Sequence, residues 1–316
     1  MRAPCIKVPK KEAERIRRVL ISQDLLNQEL KVKRRGEYVI FPLKRESEEY
    51  EIFYEDFERY YKKMGKIGSY DVVGDIAIVK AMEERELSKV IKMLENRRNI
   101  KKIAIDYGVE GEERIRKLKL VKGESFETIH REYGIRLKVD ISKVYFSPRL
   151  ATERWRVVER VRDGEVIFDM FAGCGPFSIL IAKYRKVKIF ACDINPYAIQ
   201  YFKENIKLNK VLGIEVFLED ARNLAKKIRN VDRVIMNLPH SSFNFLTDAL
   251  NTLKIGGEIH YYEILPRENE RERDLEAFAE SNGFKIKIME KRKVHAYSPG
   301  KDMFSFLIKL LHSEHI

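Results

Sequence analysis

Cysteine is scarce in this chain of 316 residues. Cys5, Cys174 and Cys192 make no C-x-x-C pair, which excludes a disulfide scaffold and points to a reducing compartment, the cytosol. The six histidines stand at no ligand spacing from a Cys or Asp, so no metal site is expected. Long apolar runs are missing too. The longest, Val166 to Ala182, is broken by Asp169, Gly173, Gly175 and Pro176 and is too short to span a bilayer. The opening Met1-Arg2-Ala3-Pro4-Cys5 has no apolar signal core. A soluble chain without membrane contact is expected. Glutamine occurs only at positions 23, 28 and 200, and with 35% charged residues this composition is one that heat-adapted proteins show. No internal repeat or low-complexity tract interrupts the chain.

Basic charge is present in excess, with a formal net charge of +13. It is spread along the chain and is densest over residues 61–140, where nineteen basic side chains face fourteen acidic ones. A spread excess suits a folded RNA gripped by several surfaces; a merely Lys-rich soluble surface is the plainer alternative. Three segments follow from the patterning. Residues 1–62 read as a small α/β unit, with a strand at Cys5–Val8, a helix from Lys11 to Ile21, and a hairpin turning at Arg35-Gly36. A polar stretch from Tyr60 to Lys66 reads as a linker. Residues 66–140 read as a basic α/β unit: a strand from Val72 to Val79, a helix from Glu84 to Asn96, then strands at Lys102–Tyr107, Ile115–Val121 and Ile135–Ile141. From residue 141 to 316, strands and helices alternate as in a parallel sheet. Strands are expected at Val166–Asp169, Lys188–Asp193, Ile214–Leu218, Arg233–Met236 and Glu258–Ile264, with helices opening at Pro176 and Pro196. An antiparallel pair, Lys285–Glu290 and Met303–Leu311, closes the sheet.

The first strand of that sheet runs into Asp169-Met170-Phe171-Ala172-Gly173-Cys174-Gly175-Pro176. Glycines there let the backbone turn sharply and approach a ligand at a helix N-terminus. Ser178 stands where a dinucleotide fingerprint has its third glycine, so the G-x-G alone is also compatible with an ordinary strand-to-helix turn. Its company is more telling. Asp193 ends the next strand, where a carboxylate accepts bonds from a ribose diol; Asp220 ends the third, suited to an exocyclic amine; Asn237-Leu238-Pro239-His240 ends the fourth. Four such groups at consecutive strand ends point to a nucleoside cofactor.

This order resembles the class I S-adenosylmethionine-dependent methyltransferases, an α/β fold with a Rossmann-like sheet and a terminal antiparallel strand. The resemblance implies that Asp169, Gly173 and Gly175 cradle the methionine part, Asp193 the ribose, and Asp220 with Ala221 the adenine. Asn237-Leu238-Pro239-His240 looks like the Asn-Pro-Pro-Tyr motif of enzymes that methylate planar nitrogens. A further segment, Tyr145-Phe146-Ser147-Pro148-Arg149 followed by Glu153-Arg154, together with Gly111-Glu112-Glu113-Arg114-Ile115-Arg116, Asp169 to Gly173, and Asp193-Ile194-Asn195-Pro196, is similar to the archaeal and eukaryotic tRNA guanine-37 N1-methyltransferases. That family implies tRNA as partner, a monomer, and RNA-binding roles for the two upstream segments. It also implies a catalytic set of Glu153 as general base, Arg114 as support for the guanine, and Asn237. Tyr145, Arg154, Phe171, Ile194, Asn237 and Pro239 would then border the cofactor, with Arg149, Pro239 and His240 on the substrate side.

The chemistry asks for such a pair, because guanine N1 carries a proton at neutral pH and its removal places charge on O6. A carboxylate and a cation answer that need. Ordinary alternatives stay open. Thr152 or Ser147 could cap a helix from Glu153 to Val161, with Glu153 favoured at its positive end. Trp155 reads as a packed helix residue without aromatic neighbours, Cys174 as a loop filler, and Lys291-Arg292-Lys293 as a solvated strand edge or a phosphate contact. Within the superfamily, aminocarboxypropyl transfer or carbon methylation in the wyosine pathway, or both methylations in one enzyme, is the competing reading.

Overall fold

Residues 1–58, 70–110 and 115–314 are described by the structure, a computed structural model. The chain divides into two units, Met1–Ser69 with Ala81–Met93 and Tyr70–Lys80 with Leu94–Ile316. In the first, period-two alternation sends Ile6 and Val8 of β1 (Arg2–Pro9) to one face of a sheet and Ala3 and Cys5 to the other. Leu20 of α1 (Ala13–Ser22) joins the Ile6 side. β2 (Lys33–Arg35) and β3 (Tyr38–Pro42) form the expected hairpin through Gly36, and β4 (Phe53–Asp56) completes the antiparallel order β2-β3-β1-β4. The linker expected at Tyr60–Lys66 lies outside the described residues.

The second unit begins with a departure from expectation. The strand read from Val72 to Val79 is a hairpin of β5 (Tyr70–Val73) and β6 (Ile76–Lys80), turning at Gly74-Asp75. Gly74 has φ +56°, and a Cβ there would sit 2.1 Å from Thr128 Oγ1, so only glycine fits. α2 (Glu84–Glu95) connects β6 to the parallel β7 (Lys102–Glu110), which pairs antiparallel with β8 (Ile115–Lys122). A second departure follows: β9 (Glu127–Glu132), too polar to read as a strand, pairs with β10 (Ile135–Asp140). It earns its place by contacts at both ends of the hairpin. Thr128 Oγ1 accepts from the Asp75 amide at 3.1 Å and donates to the Asp75 carboxylate at 2.6 Å. β10 is covered from its other edge by two asparagines, described below.

A 3-10 turn at Pro148–Leu150 runs directly into α3 (Ala151–Arg160). This corrects the expected cap: Leu150 holds the N-cap position without a side-chain bond, and neither Thr152 nor Ser147 caps the helix. β11 (Val166–Asp169), α4 (Pro176–Tyr184), β12 (Lys188–Asp193), α5 (Pro196–Asn209), β13 (Ile214–Leu218), α6 (Ala221–Ala225), β14 (Val231–Met236), α7 (Leu246–Thr252) and β15 (Leu253–Pro266) then alternate as expected. α8 (Arg271–Ser281) leads to the long antiparallel pair β16 (Phe284–Ser298) and β17 (Lys301–Ser313). The sheet order is β13-β12-β11-β14-β15-β17-β16, with β17 antiparallel to β15. Ile167 points into one core and Phe168 into the other, so both faces of the sheet are covered.

Two side chains of α5 stitch β10 to this unit. Asn205 accepts from the Lys138 amide at 2.7 Å and donates to its carbonyl at 2.9 Å; Asn209 does the same for Arg136 at 2.8 and 2.6 Å. Four helical residues rise about 6 Å and two strand residues about 6.6 Å, so the i, i+4 amides meet alternate strand residues. Trp155 has the aromatic neighbours it was not expected to have. It stacks on Tyr133 and meets Tyr184 edge-on, both with ring centroids 5.0 Å apart. Among the described residues no helix is long and apolar enough to cross a membrane.

Candidate active site

The order of strands reverses direction about β11, with β12 on one side and β14 on the other, which opens a crevice at their carboxyl ends. The glycine loop fills its floor. Gly173 and Gly175 have φ +54° and +85°; a Cβ on Gly175 would meet the Phe202 ring at 2.2 Å, whereas one on Gly173 would find its nearest neighbour, the Tyr145 carbonyl, only at 3.9 Å. Gly173 therefore keeps its upper side open. Its amide donates to Asp193 at 2.8 Å, and the Asn195 amide donates to the other Asp193 oxygen at 2.9 Å. Asn195, which the sequence reading passed over as a site residue, caps α5 and also donates to the Lys143 carbonyl at 2.8 Å, fixing the approach to Tyr145.

Asp169 is fully buried. Ser178 donates to one of its oxygens at 2.7 Å, and the other has no partner among the described residues. Burial, reinforced by the nearby Asp193 charge, pushes its pKa up to about 7. Asp220 caps α6, accepting from the Arg222 amide at 2.8 Å, with Ala221 buried behind it. Burial first, and then the charges of Asp169, Asp193 and Asp220, push the Cys192 thiol upward, so these three carboxylates act on one spot beneath the strand ends. Cys174 is likewise buried and pushed up to about 12, as befits a filler. Asn237 presents a buried Oδ1 without a hydrogen-bond partner among the described residues. The Pro239 carbonyl is tied to the Ile264 amide at 2.9 Å, and His240 is exposed with its ring edge-on to Tyr297. Phe171 packs edge-on against Phe245, and Ile194 is exposed beside Asp193.

The segment before the loop presents a second group. Tyr145 is partly exposed with the Arg116 guanidinium 5.9 Å over its ring, and Arg149 pairs with Asp71 at 2.8 Å. Arg154 is 1% exposed and forms two parallel bonds of 2.5 Å to Glu132, while its guanidinium also donates to the Ser147 carbonyl. Glu153 is 3% exposed in the first turn of α3, and its ion-pair partner is Arg292. The run Lys291-Arg292-Lys293 does lie on the edge strand β16, with Lys293 exposed, but it is ion-paired: Lys291 pairs with Glu272 at 2.7 Å, Lys293 with the buried Asp302 at 2.6 Å, and Arg292 turns inward to Glu153. Arg114 lies outside the described residues. Among the described residues no cluster of His, Cys, Asp and Glu could hold a metal ion.

The model of the TRM5/TYW2 methyltransferase domain matches residues 128–289, and that of the tRNA methyltransferase 5 N-terminal domain matches residues 5–51. The tRNA (guanine(37)-N(1))-methyltransferase Trm5b of Pyrococcus abyssi is 42% identical over 93% of this chain and 95% of its own. This chain belongs to the TRM5/TYW2 methyltransferase family. A solved complex of aTrm5 and tRNALeu is 35% identical with a TM-score of 0.69, covering 98% of this chain and 99% of that one. Another relative, the tRNA(Phe) (4-demethylwyosine(37)-C(7)) aminocarboxypropyltransferase of Methanocaldococcus jannaschii, is 38% identical over 73% of this chain and 93% of its own. Within the TRM5/TYW2 frame, sequence reasoning missed Glu132, Asn195 and Arg292. Of these only Asn195 carried a local signal, an Asn before a helix-opening proline.

Proposed function

We propose that this chain methylates N1 of guanosine 37 in tRNA with S-adenosylmethionine as donor. The observation that carries this reading is the set of polar groups at the carboxyl ends of β11, β12 and β14 around an open glycine loop, in a chain whose α3 also buries the carboxylate of Glu153. The unpartnered oxygens of Asp169 and Asn237 and the open face of Gly173 fit a polar nucleoside ligand. Asp169, Gly173 and Gly175 would hold its amino-acid end, Asp193 its ribose, and Asp220 with Ala221 its adenine. Tyr145, Phe171, Ile194, Asn237 and Pro239 would wall the pocket, and Arg154 would fix its base through Glu132. When bound, the cofactor supplies a methyl group activated on a positively charged sulfur.

Everything else falls to side chains. Glu153 takes the proton from guanine N1: the N–H bond breaks, an O–H bond forms on the carboxylate, and the freed electron pair is shared between N1 and O6. Arg114 stabilises the charge at O6, Asn237 stands near the target nitrogen, and Arg149 and His240 border the substrate. The match over residues 5–51 to an N-terminal domain named for tRNA methyltransferase 5 supports this reading over aminocarboxypropyl transfer. Residues 1–62 would grip the tRNA, 66–140 the tRNA and its target base, and 141–316 would perform catalysis, in a cytosolic monomer. Incubation with tRNA and donor labelled in either the methyl or the carboxyl group tests it. Methyl label should enter wild-type tRNA and not a transcript substituted at guanosine 37. Carboxyl label entering instead, or methyl label entering both RNAs, overturns the reading.

A further inference from the structure

We propose that Arg292 is a positioning residue that holds Glu153 ionised and aims it. This rests on the reading of Glu153 as the general base. A carboxylate that is 3% exposed loses hydration and drifts toward its neutral acid unless a cation answers it. The groups around Glu153 leave Arg292 in that role. On its own helix, Arg156 and Arg160 both bind Glu290, the latter at 2.5 Å. On β15, His260 is buried and held well below its ordinary pKa, by burial first and then by Arg233, so it stays neutral; burial pushes the Tyr262 phenol upward, so it stays protonated. β17 contributes only Ser305, Phe306 and Leu307 to the cavity Glu153 lines. Glu132, beyond Arg154, is answered by that arginine.

Strand register explains why Arg292 reaches this point. Arg292 pairs across with Ser305, and Ser305 with Tyr262, so the three share one row on a single face of the sheet. One row below, Glu290 pairs with Leu307 and Leu307 with His260. Helix α3 lies over both rows through contacts of opposite polarity, Glu153 to Arg292 above and Arg156 with Arg160 to Glu290 below. A slip of α3 by one turn would set like charges together, so the same pairing fixes where the base points. Lys291 and Lys293, alternate residues on the same strand, pair on the other side with Glu272 and Asp302. Oε1 of Glu153 has no polar partner other than Arg292 among the described residues, which leaves acceptor capacity for a purine N–H.

Single-turnover methylation of guanosine-37 tRNA by the full chain, followed from pH 5.5 to 9, tests the assignment. Removing an opposite charge at this range raises a carboxyl pKa by about 1–3 units. Arg292→Gln should therefore move the acid limb of the rate profile upward by about that much, with the slowing largest at the acid end of the range and vanishing at high pH. Arg292→Lys should hold the limb near its wild-type position, and Lys291→Ala should leave the profile unchanged. A limb in Arg292→Gln that coincides with wild type, while Glu153→Gln remains slow, overturns the role of Arg292 alone. A normal rate in Glu153→Gln overturns the base and this assignment together. Should Arg292→Gln lose its fold, the double variant Glu153→Gln/Arg292→Gln should recover melting temperature, because no lone buried charge remains. No recovery would refute the pairing.

Discussion

Arg154 and Glu132 are joined by two parallel bonds of 2.5 Å, with the arginine side chain 1% and the glutamate side chain 5% exposed. The helix that carries the proposed base is thereby pinned to β9, a strand twenty-two residues upstream. Burial raises the Glu132 pKa, but the bonds from His130 and Arg154 outweigh it and hold the group below the ordinary glutamate value.

Removing the guanidinium should therefore unfold before it disarms. Arg154→Ala leaves a buried carboxylate alone and should cost about 3–5 kcal/mol of stability in urea denaturation. Arg154→Lys should recover little of it, since an ammonium does not make the paired bonds. A depressed Glu132 pKa contributes stability present above the unfolded value near 4.5 and lost as pH falls through the lower folded value. Acid titration of Arg154→Ala should lack that component.

Asp169 carries the opposite sign. Its folded pKa of about 7 lies above the unfolded value of 3.8, so the folded chain holds a proton that the unfolded chain releases. Its contribution to stability is full below pH 3.8 and declines as pH rises to about 7. Asp169→Asn should flatten that decline in the ligand-free protein. If the ionised form holds the cofactor's ammonium group, affinity for S-adenosylmethionine in calorimetry should weaken by up to about tenfold per pH unit below 7. An affinity independent of pH would remove Asp169 from the binding set.

The two loop glycines should separate fold from ligand. Gly175→Ala must drive a methyl into the Phe202 ring on a left-handed backbone, so melting temperature should fall sharply. Gly173→Ala meets open space and should cost only the backbone strain, about 1–2 kcal/mol, while weakening the cofactor more than the fold. Melting curves with and without S-adenosylmethionine distinguish the two.

For the reaction itself, Glu153→Gln should slow single-turnover methylation by about 10²–10⁴-fold at neutral pH, the usual worth of a positioned base. Arg114→Ala should cost about 10²–10³-fold if it answers charge at O6. Asp193→Ala should mainly raise the cofactor dissociation constant, with the rate at saturation closer to wild type.

Local signals carried much of the fold. Alternating apolar strands and polar residues at their ends made the parallel sheet and the crevice readable, because both are set by residues adjacent in sequence. What stayed hidden had distant causes. Gly74-Asp75 sits inside an apolar run, and its turn is enforced by Thr128 from another strand. β9 is polar because its side chains answer charges and amides elsewhere, Glu132 to Arg154 and Thr128 to Asp75. Trp155 gained its ring partners from positions 133 and 184, and Glu153 its cation from position 292. Pairings across such spans leave no periodicity to detect.

The two carboxamides of α5 bear on how the chain could be shortened. A fragment opening at Ile141 would strip Asn205 and Asn209 of the backbone they clasp and bare the flank of α5 to water. Trimming to the methyl-transfer machinery must start ahead of Glu127, so that the helix keeps the ribbon it was shaped to wear.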